Sequence, residues 1–438
     1  METDIIKNSP SQLPLQGAGG SGGGLVVIGG GAAGFFCAVN AARMNPGLKV
    51  TIIEKSNKLL AKVKVSGGGR CNTTHACFDI PELVRKYPRG QNFIKKAFHW
   101  FNTHDTIQWF SERGVELKTE PDGRMFPVTN DSQTIINCLL KEADKYGIKI
   151  LMQSEVRNIV PVENGFQVSI TNSKLLVTNY ICIASGGYPK SAMFDWLCKL
   201  GHSIEYPVPS LFTFNMPANK ITELMGVSIE KAGVKVVGSK LAVEGPLLIT
   251  HWGMSGPSVL RLSAWGARQL AACNYQFTIL VNWLPDYKEP HLRADWQSFR
   301  EEYASQKASN KNPFGLPARL WLYLLSCSDI DPGIRWADMP SKEQNKLIKN
   351  LTAQEFPVHG KTTFKEEFVT CGGIKLGEIN PNTMQSKIQA GIFFAGEVMD
   401  VDGITGGFNF QQAWTSGWIA AKGVSEAVSL KLQASGNK

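Results

Sequence analysis

The stretch from Leu25 to Glu54 constrains the fold of this chain more than any other. It opens with an apolar run, Leu25-Val26-Val27-Ile28, and passes through Gly29-Gly30-Gly31-Ala32-Ala33-Gly34 into an apolar helical segment. It ends in a second run, Val50-Thr51-Ile52-Ile53, closed by Glu54. Short apolar runs bounded by glycine read as strands buried on both faces, as in a parallel sheet covered by crossover helices. Gly29, Gly31 and Gly34 fill the pattern G-x-G-x-x-G, and Glu54 falls twenty residues after Gly34. Each position has a mechanical task. Gly29 permits the strand-to-helix turn, Gly31 lets the backbone approach a pyrophosphate, and Gly34 lets the helix pack closely on the strands. The helix start at Ala32 and Ala33 offers free N–H groups and a positive dipole end to phosphate. Glu54 can accept hydrogen bonds from a ribose diol. Strand, turn, helix, strand and acid all occur at the required spacing, which favours a dinucleotide site over a glycine-rich turn that binds nothing.

A second glycine block follows, Lys62-Val63-Lys64-Val65-Ser66-Gly67-Gly68-Gly69-Arg70-Cys71-Asn72. Three consecutive glycines expose a row of backbone N–H groups. Arg70 and Lys62 can hold phosphate, and Asn72 both donates and accepts. Next to a dinucleotide half-site, this block is expected to be a loop that wraps the same ligand. The same holds for the basic cluster Lys55, Lys58, Lys62, Lys64 and Arg70, although a solvated surface would read alike. The net charge of +9 is otherwise dispersed, with no basic helix or stripe, so nucleic acid is not expected as a partner. Nine cysteines form no C-x-x-C pair, and several lie within apolar runs. That usage points to a reducing, cytoplasmic setting with no structural metal. His75, His99 and His104 lack metal-ligand spacing. No apolar run approaches the roughly 20 residues that cross a bilayer, so no membrane partner is expected.

The rest of the chain divides by character. Residues 1–24 are polar and glycine-rich and read as a disordered tail. Residues 25–207 read as the first part of an α/β domain. Its helices are expected at Asn102–Arg113 and Ser132–Tyr146, with strands at Lys149–Met152 and Gly165–Thr171. A further buried strand, Tyr180–Ala184, ends in a glycine turn where Ala184, Ser185 and Gly186 would meet ligand. Residues 208–367 read as an insert, first short β-like runs, then a charged helical part with tryptophans at 296, 321 and 336. Its glycine-rich loop Thr250–Pro257 carries His251, either a substrate contact and proton donor or an ordinary turn histidine. Residues 368–438 return to α/β character. A strand Gly391–Ala395 ends at Gly396 and Glu397, followed by Asp400 and then by Gly406-Gly407-Phe408-Asn409 at the start of a long helix.

A second strand–glycine–helix unit so far along the chain fits a ligand longer than NAD, and FAD meets that need. The AMP half would sit on Gly29–Glu54, the pyrophosphate near Gly34, Gly396 and Glu397, and the isoalloxazine near Gly406–Asn409. A helix N-terminus at the ring would stabilise the negative charge of reduced flavin.

These blocks resemble the BaiN-like family of bacterial NAD(P)/FAD-dependent oxidoreductases, which includes aminoacetone oxidases. The similarity rests on Ser66–Asn72, Thr250–Pro257, Asn382–Lys387, Ala395–Asp400 and Gly406–Asn409, and it runs from Leu25 to about Gly423. It implies a discontinuous Rossmann-like FAD-binding domain with an inserted β-barrel plus helical domain. It implies that FAD is held by the three glycine blocks, including Gly67, Gly68, Gly69, Cys71 and Asn72. The family's usual residues are replaced at Leu60 and Ala61, at Tyr188–Ala192 and at Phe408. The expected activity is hydride exchange between flavin and a small organic substrate in the cleft between FAD domain and insert, with NAD(P)H as a possible electron donor. The alternative is a flavin-bound redox sensor or RNA-modification accessory without turnover of its own.

Overall fold

The computed structural model describes residues 23–362 and 369–436. The expected N-terminal tail, except for its last two residues, and the return to α/β character at Phe368 lie outside them. The Rossmann part begins with β1 (Gly24–Ile28), α1 (Ala32–Met44), β2 (Lys49–Ile53) and α2 (Ala61–Gly69), followed later by β3 (Lys149–Leu151) and β4 (Tyr180–Ile183). The chain leaves through β5 (Ile204–Pro209) into β6 (Thr213–Asn215), β7 (Ser228–Val236), β8 (Ala242–Thr250), β9 (Gly253–Ser255), α3 (Pro257–Ala272) and β10 (Gln276–Asn282). After three helices come β11 (Gln354–His359), β12 (Lys361–Thr362), β13 (Thr370–Ile374), β14 (Ile392–Phe394) and α4 (Phe408–Gly436).

Five strands form a parallel sheet in the order β14-β4-β1-β2-β3, with β1 at its centre. All five residues of β1 are buried, which explains its uninterrupted apolar sequence. Its neighbour α1 is buried on nearly every side because the long α4 packs across it. The two helices meet over small residues, since a Cβ on Gly417 would come within 2.7 Å of the Ala33 carbonyl. Between β3 and β4 the crossover is a three-stranded antiparallel meander, Val156–Val162, Gly165–Ile170 and Lys174–Thr178. Only its middle strand was expected from sequence; the first is exposed at most positions and carries little apolar signal.

The insert has its own hydrophobic core. Its strands run antiparallel in the order β11-β10-β7-β8-β9-β6-β12. The two outer strands are consecutive in sequence and joined at Gly360. The N–H of Gly360 donates to the Tyr275 carbonyl at 2.8 Å, and its carbonyl accepts from Asn215 N–H at 3.1 Å. One kinked segment thus pairs with both edges and closes the sheet into a barrel, and the φ of +104° at Gly360 is a bend that glycine takes without strain. Helices Glu289–Glu302, Ala318–Cys327 and Ser341–Ala353 cover one side, and Trp283, Trp296, Trp321 and Trp336 are all fully buried there. The chain passes between the two parts through β5 and β13, which pair antiparallel. Among the described residues, no helix is long and apolar enough to cross a membrane.

The block Lys62–Asn72 departs from the expected loop. It opens as a helical turn in α2 and breaks at Ser66–Gly68, where Gly67 and Gly68 take positive φ of 60° and 70°. Ahead of it, Leu60 is left-handed at φ 54° while its N–H donates to Gly30 at 2.8 Å. For a residue with a Cβ that conformation costs about 1–2 kcal/mol.

Candidate functional site

The first glycine turn sits where three strand ends meet. The N–H of Gly29 donates to the Ile53 carbonyl at 2.8 Å. A Cβ on Gly29 would lie 2.3 Å from the Ala184 carbonyl, and one on Gly34 would lie 2.0 Å from the Gly29 carbonyl. Both glycines are therefore required by packing. Gly31 differs: its φ of −94° suits any residue, yet nothing lies within 4 Å of its Cβ position. Its open side faces a cavity of about 600 Å³. Helix α1 starts there without a side-chain cap, so its first N–H groups point to that space unpaired. Glu54 is drawn toward the same turn. Its Oε2 accepts from Gly30 N–H at 2.9 Å and its Oε1 from Ser56 N–H at 2.8 Å, and each oxygen keeps a further lone pair for a ligand.

Most candidates from sequence line this one cavity. They are Gly29, Gly31, Ala32, Ala33, Glu54 and Lys55 from the first unit; Lys62, Ser66, Gly67 and Asn72 from the second block; Ala184, Ser185 and Gly186 after β4; and Gly396, Glu397, Gly406, Gly407 and Asn409. Lys62 reaches across to Glu397 at 2.7 Å, and Glu397 also accepts from Thr370 N–H at 2.8 Å. The Gly406–Gly407 peptide is gripped at both ends. His75 Nδ1 bonds the Gly406 carbonyl at 2.9 Å, which makes that nitrogen the protonated one. Asn72 accepts from Gly407 N–H at 3.0 Å and donates to the Thr74 carbonyl at 3.0 Å. Burial lowers the pKa of His75 from its ordinary value, against the pull of the Gly406 carbonyl, and favours the neutral ring. Asn409 bonds both backbone groups of Gly403 at 2.9 Å and so fixes the loop that leads into α4.

Eight candidates do not reach the cavity wall. Gly34 is spent on helix–strand packing. Gly68, in the break of α2, and Gly69 after it do not line the cavity, and nothing lies within 4 Å of either Cβ position. Arg70 turns to Glu120 at 2.5 Å and stacks over Phe126 at 4.1 Å. Cys71 is wholly buried, which pushes its thiol up to about 11. Asp400 pairs with Arg268 of the insert at 2.9 Å. Phe408 packs away from the cavity, stacked on His75 at 4.5 Å. His251 is exposed at the turn between β8 and β9, its ring against Trp252, and does not line the cavity.

The insert supplies the opposite wall, which sequence reasoning missed: Leu211, Phe212, Thr213, Ser255, Leu260 and Thr362. The available signal lay in β6 and β9, where alternation sends Phe214 and Met254 into the barrel core and their neighbours outward. Arg124, from a hairpin after the second block, also reaches the cavity. The wall therefore carries Lys55, Lys58, Lys62 and Arg124 against Glu54 and Glu397, a surplus of positive charge that suits an anionic ligand. Among the described residues, no group of side chains could hold a metal.

The HI0933-like protein Rossmann domain model matches residues 24–423. A ribosomal RNA dihydrouridine synthase from Escherichia coli K12 is 29% identical over 408 residues, covering 90% of this chain and 96% of its own. A 3-dehydro-bile acid delta(4,6)-reductase from Clostridium scindens is 25% identical over 402 residues, covering 90% and 97%. Among solved structures, a 3-ketosteroid-delta4-(5alpha)-dehydrogenase from Rhodococcus jostii RHA1 aligns with a TM-score of 0.49 at 13% identity, covering 92% of this chain and 96% of its own.

Proposed function

The chain belongs to the HI0933-like Rossmann-domain family, and on that footing we propose that it is an FAD-dependent oxidoreductase. It would deliver hydride to a carbon–carbon double bond conjugated to a carbonyl, in a substrate entering between the Rossmann part and the insert. One observation carries the reading. A single cavity runs from the glycine turn at Gly31, past Gly406 and Gly407, to the insert wall at Thr213 and Ser255. A lone dinucleotide needs only the first part of that path.

The residues fit FAD. The open Cβ positions at Gly31 and Gly186 leave backbone free to approach a pyrophosphate, and the first turn of α1 offers it unpaired N–H groups. Glu54 has lone pairs left for a ribose diol. At the other end, the start of α4 presents its dipole to the cavity, which favours negative charge on a reduced ring. Bound FAD would supply the hydride chemistry; the chain binds it, orients it and closes the cleft. The names of the two relatives support the reaction class, since a dihydrouridine synthase and a delta(4,6)-reductase both add hydrogen across an unsaturated bond.

Purified protein should be yellow, with a flavin spectrum that bleaches on anaerobic photoreduction. In-vitro-transcribed ribosomal RNA or a 4,6-dien-3-one steroid should then restore the oxidised spectrum. Colourless protein that fails to take up added FAD refutes the reading. The name of the first relative favours RNA as the substrate carrier, against the expectation drawn from the dispersed charge of the sequence. Dihydrouridine detected by mass spectrometry in treated RNA would establish it, and none after full turnover of the steroid would exclude it.

A further inference from the structure

Within the loop Thr250–Pro257, the residue that lines the cavity is Ser255, four residues after His251. In β9, Met254 is buried in the barrel core. Alternation along the strand turns Ser255 to the other face, level with its partner Leu248 on β8. Ser255 meets the cleft there, while Leu248 beside it is exposed outside the cavity. Two other hydroxyls on the insert wall are occupied. Thr213 accepts from Trp252 Nε1 at 2.9 Å and donates to the Thr362 carbonyl at 3.3 Å, and Thr362 donates to Asn215 at 2.9 Å. The Ser255 side chain makes no hydrogen bond to any described residue. A hydroxyl with a donor to give stands at the substrate end of the cleft.

Its position is anchored. Ser255 leads directly into α3, and that helix is tied to the loop before α4 at two points. Arg268 reaches Asp400 at 2.9 Å. Arg89, in a bidentate pair with Asp402, also donates to the Ala264 carbonyl and to Ser210 at 2.8 Å. Ser263 of the same helix accepts from Phe212 N–H at 3.1 Å, which holds the adjoining wall. The helix that follows Ser255 is thus fixed against the loop that positions Gly406 and Gly407.

We propose that Ser255 is a catalytic residue that donates a hydrogen bond to the substrate carbonyl oxygen. The inference rests on the proposed reaction class. Hydride with its electron pair adds to the β-carbon, the C=C π pair shifts toward the carbonyl oxygen, and Ser255 stabilises the resulting enolate oxygen. Water then protonates the α-carbon, leaving a saturated CH–CH bond. FAD, once bound and reduced by a nicotinamide hydride donor or by light, would supply the two electrons. The same carbonyl conjugation is present in a uracil ring and in a 4,6-dien-3-one, so one hydroxyl can serve either.

The test uses the full-length, FAD-loaded protein, photoreduced under anaerobic conditions, with in-vitro-transcribed ribosomal RNA and a 4,6-dien-3-one steroid as probes. Ser255→Ala should slow probe-driven reoxidation about 30- to 100-fold, the scale of losing one donor to a developing oxyanion. The dissociation constant of the probe for oxidised protein, read from flavin absorbance, should rise by only about tenfold or less, because the ground-state carbonyl bonds more weakly. Reoxidation by dioxygen, which needs no carbonyl contact, should be unchanged, and Ser255→Thr should recover most of the rate. Ser255→Ala that reduces the probes at the wild-type rate overturns the inference while the proposed function stands. Wild-type protein that reduces neither probe overturns both. Should Ser255→Ala fail to fold or to retain FAD, Ser255→Cys, a near-isostere with a weak donor, decides: a wild-type rate overturns the proposal and a comparable loss supports it.

Discussion

Two glycines three residues apart should respond to substitution in opposite ways. Gly31→Val changes a residue whose φ of −94° is ordinary and whose Cβ position is empty to 4 Å. The fold should lose little, about 1 kcal/mol or less, because valine is a poorer N-cap than glycine. The valine methyls would occupy the space through which a pyrophosphate approaches α1. Losing two charge-assisted hydrogen bonds at about 1.5 kcal/mol each removes about 3 kcal/mol of binding, roughly a hundredfold in affinity for FAD. Gly34→Ala meets the Gly29 carbonyl at 2.0 Å, a backbone atom that cannot swing aside. The strain, about 3 kcal/mol at the upper end of overpacking, outweighs the roughly 1 kcal/mol that alanine gains over glycine in a helix. The assays are thermal denaturation of each apoprotein and titration of apoprotein with FAD by quenching of flavin fluorescence. Gly31→Val should melt close to the wild type and bind FAD about a hundredfold more weakly; Gly34→Ala should melt lower. Wild-type FAD affinity in Gly31→Val, or an apoprotein as destabilised as Gly34→Ala, would refute the assignment of this turn to the ligand.

Further expectations concern the scaffold. Arg89→Met strands the fully buried Asp402 carboxylate, at a cost of about 3–5 kcal/mol; the melting temperature should drop, and Arg89→Met combined with Asp402→Leu should recover much of it. His202 bonds Glu378 at 3.0 Å and Ser386 at 3.1 Å, and burial lowers its pKa from 6.5 despite the pull of Glu378. The unfolded chain therefore takes up the proton first. This contribution to stability is full above pH 6.5 and is lost as pH falls through the lowered folded value; urea midpoints measured across that window should flatten in His202→Gln. His75, lowered in the same direction, accounts for part of the slope that remains. Of the nine cysteines, Cys198 and Cys273 are exposed, and an aromatic disulfide reagent should label those two fast in native protein. Rapid labelling of Cys71 or Cys138, whose thiols burial pushes up to about 11, would contradict the packing around them.

The Rossmann part was legible because its requirements are local. Gly34 answers to the Gly29 carbonyl within one strand–turn–helix of fixed length, and the same spacing marks Gly29, although the atom it packs against belongs to distant Ala184. The block Ser66–Asn72 was legible only in part. The glycines announce a special backbone, but whether Arg70 and Cys71 face ligand depends on a hairpin, Leu117–Pro127, that lies far along the chain. Glu120 and Phe126 of that hairpin claim Arg70. In the insert, β7 reads poorly because charged residues alternate with its buried ones. The closure at Gly360 required pairing with Tyr275 and Asn215, which no local pattern encodes. His251 drew attention as the titratable side chain in a glycine-rich loop. The strand register of Met254 and Ser255 decided which residue of that loop met the cavity.

The chain's two extremes and its middle build one site. The ligand-facing turn of α1 is backed by Gly396, whose Cβ would lie 2.8 Å from Ala33 Cβ, and by Gly417 of α4. Neither contact exists until the last strand, β14, has added to the sheet edge beside β4. The substrate wall has a similar dependence. Thr213 and Ser255 belong to a barrel with its own core, yet their distance from Gly406 is set by Arg89–Asp402 and Arg268–Asp400, both of which hold the loop 400–403. Because that loop is also pinned from the other side by Asn409 on Gly403, a shift of the insert cannot occur without disturbing the start of α4. A substrate that pushed the walls apart would therefore strain the cofactor end directly. Weakening Arg268→Ala, the more exposed of the two ties, should loosen substrate recognition before it loosens FAD, raising KM for either probe at least several-fold while FAD remains bound. Loss of FAD from Arg268→Ala with KM unchanged would show that the loop answers to the cofactor alone and that the insert is not coupled to it.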